Sequence, residues 1–401
     1  MTARLVRGIV FLLVLSVISR PASAIAGQTQ LPDATNRPSG PKPSPAVVDL
    51  LDEASRLVED KQPLDSLKAA EQAFGAAQQA NDKAGEPFAQ QARAKALQDL
   101  QRTDEAIAAW QKAAEMWGGI GNAPDQITAL VQAGLLCTSS RKEEAEKLFA
   151  QALLIGKSDN QPTVALAETL QEAGMAIYQP LRDGGVARNE PKQLQTVWDF
   201  LTAALAIREK QTPESLNLLE TLNALATVAN QRGLASNGDD DHYYTVAKEY
   251  SLWAIELGRR LAPDSTAMAK SLHNLAFADV GLTFGETTAI QYFLEALKIE
   301  RRATPGGSMD EIETLDQLGA IERRQGNFPA ALQHASEAVA MGERIAPGSL
   351  TLARDLGALG VVETQQGRLA AAHDHLVRII REGAESGVWG DEIAPKMIVA
   401  A

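Results

Sequence analysis

Leucines and small residues recur along the chain at spacings that place them on one face of a helix. Four segments, beginning at Ser215, Ser265, Ser308 and Ser349, have a leucine seven residues after the serine, a second leucine ten residues after it, and then alanine or glycine. A serine just before a helix can cap its first turn, and Glu311 follows Ser308 at the spacing of a capping box. A proline two or three residues before each serine predicts the end of the preceding helix.

A second pattern alternates with the first: a small residue, a bulkier residue four positions later, and a small or apolar residue three further on. Its eight copies begin at residues 36 to 52 positions apart, namely Ala70, Ala106, Ala145, Val197, Ala247, Ala289, Ala331 and Ala372. Each interval has room for two helices of about four turns with short connections. The sequence therefore predicts an all-α chain of about eight antiparallel helix pairs over residues 46–385.

Together the two patterns resemble the tetratricopeptide repeat family, in which helix A carries leucine followed by glycine or alanine and helix B carries alanine, an aromatic residue and alanine. The resemblance is strongest from Ser215 to Arg381, where the proline and serine before each repeat resemble the 42-residue variety of kinesin light chains. It implies a right-handed superhelical solenoid with helix A on the concave side. Small residues such as Gly319 and Ala331 let the paired helices approach closely.

The segment before the repeats has the layout of an export signal. Residues 1–24 contain basic residues, an apolar run from Ile9 to Ile18 and a final Ala-Ser-Ala, which predicts a signal peptide cleaved after Ala24. The alternative is an uncleaved anchor, but the run is much shorter than the roughly 20 residues of a membrane span. Residues 25–45 are proline-rich and predict a disordered linker, and residues 386–401 form a C-terminal tail. The expected location is periplasmic or secreted.

Composition and charge narrow the classes of partner and chemistry. The net charge of −13 argues against nucleic acid as a partner, and no later segment is apolar enough to insert in a membrane after signal cleavage. Cys137 has no histidine near it in sequence, and His373 and His375 point to different sides of a helix. The three aspartates at 239–241 lack the spacing of a calcium loop. The sequence therefore predicts no enzyme activity, no metal and no cofactor.

Two repeats are longer than the others because of insertions between helix A and helix B, at residues 179–192 and 233–242. We expect both insertions to be loops on one edge of the array. They are interpreted either as a lip for a partner or as tolerated surface lengthening.

The family register also predicts which helix A side chains face the groove. They are mixed in charge and rich in amides, which can bond the backbone of a bound peptide, although ordinary exposed helix residues are the alternative interpretation. The candidate partner-binding residues are Tyr178, Asn223, Asn230, Lys270, His273, Asn274, Asp316, Arg323 and Arg354. The predicted function is an exported, non-catalytic scaffold that binds a peptide or a partner protein, with oligomeric state open.

Two other functions remain as alternatives. The array behind a signal peptide resembles the N-terminal part of exported bacterial proteins with a caspase-like CHAT peptidase domain. The chain would then be the truncated regulatory half of such a peptidase, since the sequence to Ala401 contains no segment of that kind. The other alternative is a periplasmic assembly factor for secretion or surface-polymer machinery.

Overall fold

The chain is all-α, as the sequence predicts. A computed structural model describes residues 42–159, 162–183, 187–236, 241–282 and 286–385, and within these ranges it contains sixteen α-helices, one short 3-10 helix and no strand. The predicted signal peptide at 1–24, most of the linker and the tail at 386–401 lie outside the described residues. The helices are α1 Pro45–Glu59, α2 Pro63–Gln79, α3 Gly85–Asp99, α4 Thr103–Gly119, α5 Ala123–Cys137, α6 Lys142–Ser158, α7 Val164–Asp183, α8 Pro191–Gln211, α9 Leu216–Ala235, α10 His242–Leu261, α11 Thr266–Gly281, α12 Glu286–Ala303, α13 Met309–Arg324, α14 Phe328–Ile345, α15 Leu350–Gln365 and α16 Leu369–Glu385, with the 3-10 helix at Ala187–Asn189.

The helices belong to two compact units. The N-terminal unit comprises α1 to α8, and the C-terminal unit comprises the 3-10 helix and α9 to α16. Most consecutive helices within a unit are joined by short turns and pack against each other, which is the arrangement of repeated helix pairs. In each pair the odd-numbered helix corresponds to helix A and the even-numbered helix to helix B. None of the described helices is both long and apolar enough to cross a membrane.

Serine caps begin every helix A of the C-terminal unit, which confirms the first sequence pattern. The hydroxyls of Ser215, Ser265, Ser308 and Ser349 each accept a hydrogen bond from the backbone N–H three residues later, at 3.1 to 3.2 Å. The predicted capping box at Ser308 is only half formed, because the Glu311 carboxylate instead accepts a hydrogen bond from Arg301 Nε at 3.0 Å. An ion pair to the preceding helix B therefore replaces the local bond.

Prolines end the helices that precede these caps. Helices α8, α10, α12 and α14 each stop two residues before Pro213, Pro263, Pro305 or Pro347. The residue before a proline is disfavoured in the helical region, which places the end of each helix there.

Leucines fill the space between paired helices in the C-terminal unit, as the pattern predicts. Leu315 and Leu318 are fully buried, and together with Phe293 they belong to one apolar cluster between α12, α13 and α14. A Cβ built on Gly319 would lie 3.4 Å from the carbonyl oxygen of Ala331. The two backbones therefore approach to van der Waals distance at this glycine.

The N-terminal unit is filled by alanines and a few aromatic side chains. Phe88 and Trp117 meet edge to face, with ring centroids 4.8 Å apart, and the Trp110 Nε1 donates to Gln98 Oε1 at 2.8 Å. Cys137 is fully buried at the end of α5, which is consistent with its interpretation as a packed small apolar residue.

The two insertions are helical in part where loops were expected, and residues 184–186 and 237–240 within them lie outside the described residues. Helix α7 continues to Asp183, the 3-10 helix follows at Ala187–Asn189, α9 continues to Ala235 and α10 begins at His242. Beside the second insertion, the ring of Tyr244 in α10 lies where a Cβ on Gly233 of α9 or Gly281 of α11 would sit, at 2.7 and 2.5 Å. Burying this ring stabilises the contact of α10 with the ends of α9 and α11.

Candidate functional site

The helix A surface of the C-terminal unit brings together most of the predicted site residues. It is formed by α9, α11, α13 and α15, of which neighbours pack against each other. The first leucines of the sequence pattern, Leu222, Leu272, Leu315 and Leu356, align the four helices position by position. We call the surface on this side of the unit the A-helix face.

Charged side chains of alternating sign form a row on the A-helix face. Two residues before the aligned leucine, the four helices carry Glu220, Lys270, Glu313 and Arg354 in order. Lys270 Nζ lies 3.2 Å from Glu313 Oε2 and 3.3 Å from Asp310 Oδ1. The lysine ammonium lowers the pKa of Glu313 to about 2, so this carboxylate is ionised at any physiological pH.

Polar pairs link adjacent helices beneath this row. In each pair, the residue after the leucine on one helix meets the residue before the leucine on the next helix. We call these pairs rungs. The first rung joins α9 to α11, where Ser271 Oγ donates to Asn223 Oδ1 at 2.7 Å and the Asn223 amide donates to the Ala267 carbonyl at 2.8 Å. The side chains of this rung are buried, and both the oxygen and the nitrogen of the Asn223 amide have hydrogen-bond partners within the protein.

Asn274 extends the first rung along the same two helices. Its Nδ2 donates to the Asn223 carbonyl at 3.1 Å, and its Oδ1 accepts from Thr227 Oγ1 at 3.1 Å. Asn230 Nδ2 donates in turn to the Asn274 carbonyl at 3.0 Å. Three asparagines thus fix the register of α9 against α11.

The second rung joins α11 to α13 through His273 and Thr314. Thr314 Oγ1 donates to Glu300 Oε1 at 3.1 Å and lies 2.9 Å from His273 Nδ1. While Glu300 is ionised, Thr314 gives its hydroxyl proton to it and can only accept a hydrogen bond from the imidazole. Burial lowers the pKa of His273 to about 4 and raises the pKa of Glu300 to about 7. The imidazole is neutral at physiological pH, so it holds the rung without a charge.

The third rung joins α13 to α15 and consists of two carboxyl groups, Asp316 and Asp355. Asp355 is fully buried, and the Asp316 side chain is 16% exposed beside the more open Arg354, whose Nη2 lies 3.9 Å from Asp316 Oδ2. Burial, and then the neighbouring Asp316, raise the pKa of Asp355 to about 9. Burial also raises the pKa of Asp316.

The structure changes how the predicted site residues must be interpreted. Asn223, Asn230, His273 and Asn274 are buried between helices, so the expectation that their side chains line an open groove is wrong. Tyr178 is buried in α7 of the N-terminal unit and does not belong to the A-helix face. A binding role for these residues stays a prediction, but their side chains form hydrogen bonds to neighbouring helices of the protein.

Lys270, Asp316, Arg323 and Arg354 retain some exposure, and of these Arg354 is the most open, at 63% of its side chain. Sequence reasoning missed Glu220 and Glu313 of the row, Asp355 of the third rung, and Asp310, which pairs with Lys270. A position-by-position alignment of the repeats would have found Glu220 and Glu313, because they share a register position with Lys270 and Arg354.

The described residues contain no group of three or more histidine, cysteine, aspartate or glutamate side chains that could hold a metal ion. The two histidines close in sequence have separate carboxylate neighbours. His375 Nδ1 lies 2.8 Å from Glu363, and the exposed His373 lies 3.5 Å from Asp374. His334 Nδ1 pairs with Glu322 at 2.7 Å in the same way, one repeat earlier.

Comparison with known proteins agrees with this repeat assignment. A tetratricopeptide repeat family model matches residues 88–157 and 310–381, which correspond to α3–α6 and α13–α16. The chain therefore carries tetratricopeptide repeats in both units. No curated protein matches the sequence. The resemblance to exported CHAT-domain proteins stays a prediction.

Solved structures with a similar fold include kinesin light chain-like and other repeat proteins. A putative kinesin light chain of Podosopora anserina with nearly identical TPR-like repeats is 16% identical, with 51% of this chain and 96% of that chain covered and a TM-score of 0.39. The apo form of RapI is 14% identical, with coverage of 88% and 97% and a TM-score of 0.49. NprR in complex with its cognate peptide NprX is 12% identical, with coverage of 89% and 97% and a TM-score of 0.42. At these values the likeness concerns the fold.

Proposed function

We propose that the chain is an exported, non-catalytic scaffold that binds a peptide or partner protein on the A-helix face of its C-terminal unit. The observation that carries the proposal is the row of Glu220, Lys270, Glu313 and Arg354, which repeats one register position across four helices with alternating charge. Repeat arrays bind partners on surfaces that run across successive repeats. Lys270 and Glu313 pair with each other within the row, whereas Glu220 and Arg354 at its two ends are exposed and offer their charges to a partner.

The spacing of the row suits an extended segment. Neighbouring packed helices lie about 8–10 Å apart, and an extended chain advances about 3.3 Å per residue. An extended segment that crosses the four helices would therefore pass from one helix to the next about every third residue. Complementary charges at those positions would give specificity and speed association more than they would raise affinity.

Site-specific photo-cross-linking in the native host tests the location of binding. A photoreactive residue replaces the exposed Glu220 or Arg354 on the A-helix face, and the exposed Leu252 or Leu294 on α10 and α12 in matched controls. We expect one partner to be cross-linked from positions 220 and 354 and not from 252 or 294. Cross-links from the helix B positions alone would overturn the proposed site.

Charge reversal then tests the row itself with the partner identified by cross-linking. Arg354→Glu is expected to weaken binding about tenfold or more, whereas Arg259→Glu, an exposed control on α10, is expected to leave binding unchanged. Equal effects of the two variants would indicate general electrostatics instead of a defined site.

Export rests on residues 1–24 and has its own test. Mass spectrometry of the protein recovered outside the cytoplasm is expected to find Ile25 at the N-terminus. Recovery of the full chain in the cytoplasm, with Met1 or Thr2 at the N-terminus, would contradict the export part of the proposal and leave the binding part standing.

A further inference from the structure

The third rung differs chemically from the other two. At the first and second rungs an amide or imidazole meets a hydroxyl, and each pair has a donor and an acceptor without a net charge. At the third rung the equivalent positions are Asp316 and Asp355, which offer acceptors only when both are ionised. Two carboxyl groups can form a hydrogen bond across this interface only if one of them holds a proton.

The surroundings of Asp355 supply no other donor. Its side chain is fully buried, and within the described part of the chain no N–H or O–H group bonds to either of its carboxyl oxygens. A Cβ built on Gly342 would lie 3.5 Å from Asp355 Oδ2, so the backbone of α14 closes that side. An ionised Asp355 would be an unpaired buried charge, which is strongly unfavourable.

The nearby charges do not remove this cost. Arg354, on the same helix, is mostly exposed and 3.9 Å from Asp316, and Glu313 on α13 adds a second negative charge beside Asp316. Most titratable groups on the packed helices have partners elsewhere. On α13, Asp310 and Glu313 pair with Lys270, Glu311 with Arg301, Glu322 with His334 and Arg324 with Glu286, while Arg323 is partly exposed. On α14, Glu337 pairs with Arg301, Glu343 with Arg378 of α16, and Arg344 with the Gly306 carbonyl. On α15 and α16, Glu363 pairs with His375 and His373 with Asp374, while Arg381 is exposed.

We propose that Asp316 and Asp355 share one proton. The shared proton forms the hydrogen bond that holds the last described helix pair, α15 and α16, against α13. Its loss at alkaline pH loosens that pair. The interface is a natural place for such a device because stability in repeat arrays depends on contacts between neighbouring repeats. The inference is independent of the proposed function, since it concerns the stability of one repeat and no ligand.

The direction of the pH effect follows from proton binding. In the opened state both carboxyls ionise near their ordinary pKa of about 4, while in the closed state one proton is retained. Closing therefore takes up a proton, and the closed state loses stability as the pH rises above about 4. The loss continues until the pH passes the pKa of about 9 of Asp355, beyond which both forms are ionised.

Hydrogen exchange of the full chain tests the proposal. We compare the protection of amides in 350–379 from pH 6 to pH 9, corrected for intrinsic exchange, in the wild type and in Asp355→Asn. The variant amide can donate to Asp316 without a proton, which resembles the first rung. Wild-type protection is expected to fall by up to about tenfold per pH unit relative to the variant. Amides of α10 serve as the internal control and are expected to show no such difference.

Two further variants keep the test decisive if Asp355→Asn disturbs the fold. Asp316→Asn leaves Asp355 in place and supplies a donor from the other side, and Asp355→Thr copies the hydroxyl of Thr314 at the equivalent position. Either is expected to flatten the pH dependence. Glu300 titrates in the wild type and in every variant alike, so its effect cancels in the comparison. Parallel pH profiles of the wild type and the folded variants would overturn the proposal.

Discussion

The two units use the same helix-pair repeat but differ in the contacts that stand out in each. In the C-terminal unit, polar rungs such as Asn223 with Ser271 connect neighbouring A helices. In the N-terminal unit, Phe88 of α3 packs edge to face on Trp117 of α4 within one pair, and alanines line much of the core. The contact between pairs is polar in the first case, and the contact within a pair is aromatic in the second. Buried polar contacts fix a register, whereas apolar burial supplies more of the stabilising free energy.

The turns and caps differ in the same way. Serine begins every helix A of the C-terminal unit, while in the N-terminal unit Asn122 and Thr163 have this role at α5 and α7. The turns within pairs also differ. Gln101 has φ of 57° where the equivalent Gly326 has φ of 79°. The N-terminal unit therefore reaches the same geometry with less uniform chemistry.

The largest expected effect is a cavity in the N-terminal unit. Trp117 is fully buried, so Trp117→Ala is expected to lower the free energy of unfolding by about 3–5 kcal/mol. Urea denaturation followed by circular dichroism measures the change. Trp253→Ala on α10, where the side chain is exposed, is the control and should change stability by no more than about 0.5 kcal/mol. Equal effects at the two tryptophans would contradict the packing described for this unit.

The next effect is the loss of a rung in the C-terminal unit. Asn274→Ala removes the amide that joins Thr227 to the Asn223 carbonyl, and it is expected to cost about 1–3 kcal/mol because buried groups lose their partners. The measurement is thermal unfolding at constant pH, with the exposed Gln291→Ala on α12 as control. An unchanged transition would show that the rungs do not stabilise the unit.

A matched pair of glycine substitutions tests how closely the helices approach. A Cβ at position 281 would lie 2.5 Å from the Tyr244 ring, whereas a Cβ at position 319 would have the Ala331 carbonyl oxygen, at 3.4 Å, as its nearest neighbour. Gly281→Ala is therefore expected to destabilise by about 1–2 kcal/mol through overpacking. Gly319→Ala is expected to be neutral or to stabilise by up to about 1 kcal/mol, because alanine favours a helix over glycine. Calorimetry of both variants measures the change in stability. A larger loss of stability for Gly319→Ala than for Gly281→Ala would contradict the described approach of the helices.

The smallest effect exchanges the turn chemistry of the two units. Gln101 has a left-handed backbone that costs a non-glycine residue about 1 kcal/mol, so Gln101→Gly is expected to stabilise the chain by up to about that amount. Gly326→Ala in the equivalent turn is expected to destabilise it by a similar amount. Both are read from denaturation midpoints in parallel. Changes of the same sign in the two variants would show that the turns are not equivalent.

Local patterns in the sequence determine most of the fold. Serine caps, prolines and the spacing of leucine with small residues define the start, the end and the buried face of each helix, because these effects act within one or two turns. The helical parts of 179–192 and 233–242 were less predictable from local patterns. At the second insertion, Tyr244 packs against Gly233, which lies on the other side of the insertion, and against Gly281, which is distant in the sequence.

The roles of the polar residues of helix A depend on how neighbouring repeats pack. The sequence places Asn223, His273 and Asp316 on the correct helices and suggests a groove, but the offset between neighbouring A helices pairs each of them with the residue before the leucine of the next repeat. That offset is set by the close packing of whole helices and leaves no trace in any local pattern. Local sequence patterns thus define the repeats. The packing between repeats decides which side chains remain exposed to a partner, and it brings Asp316 to Asp355.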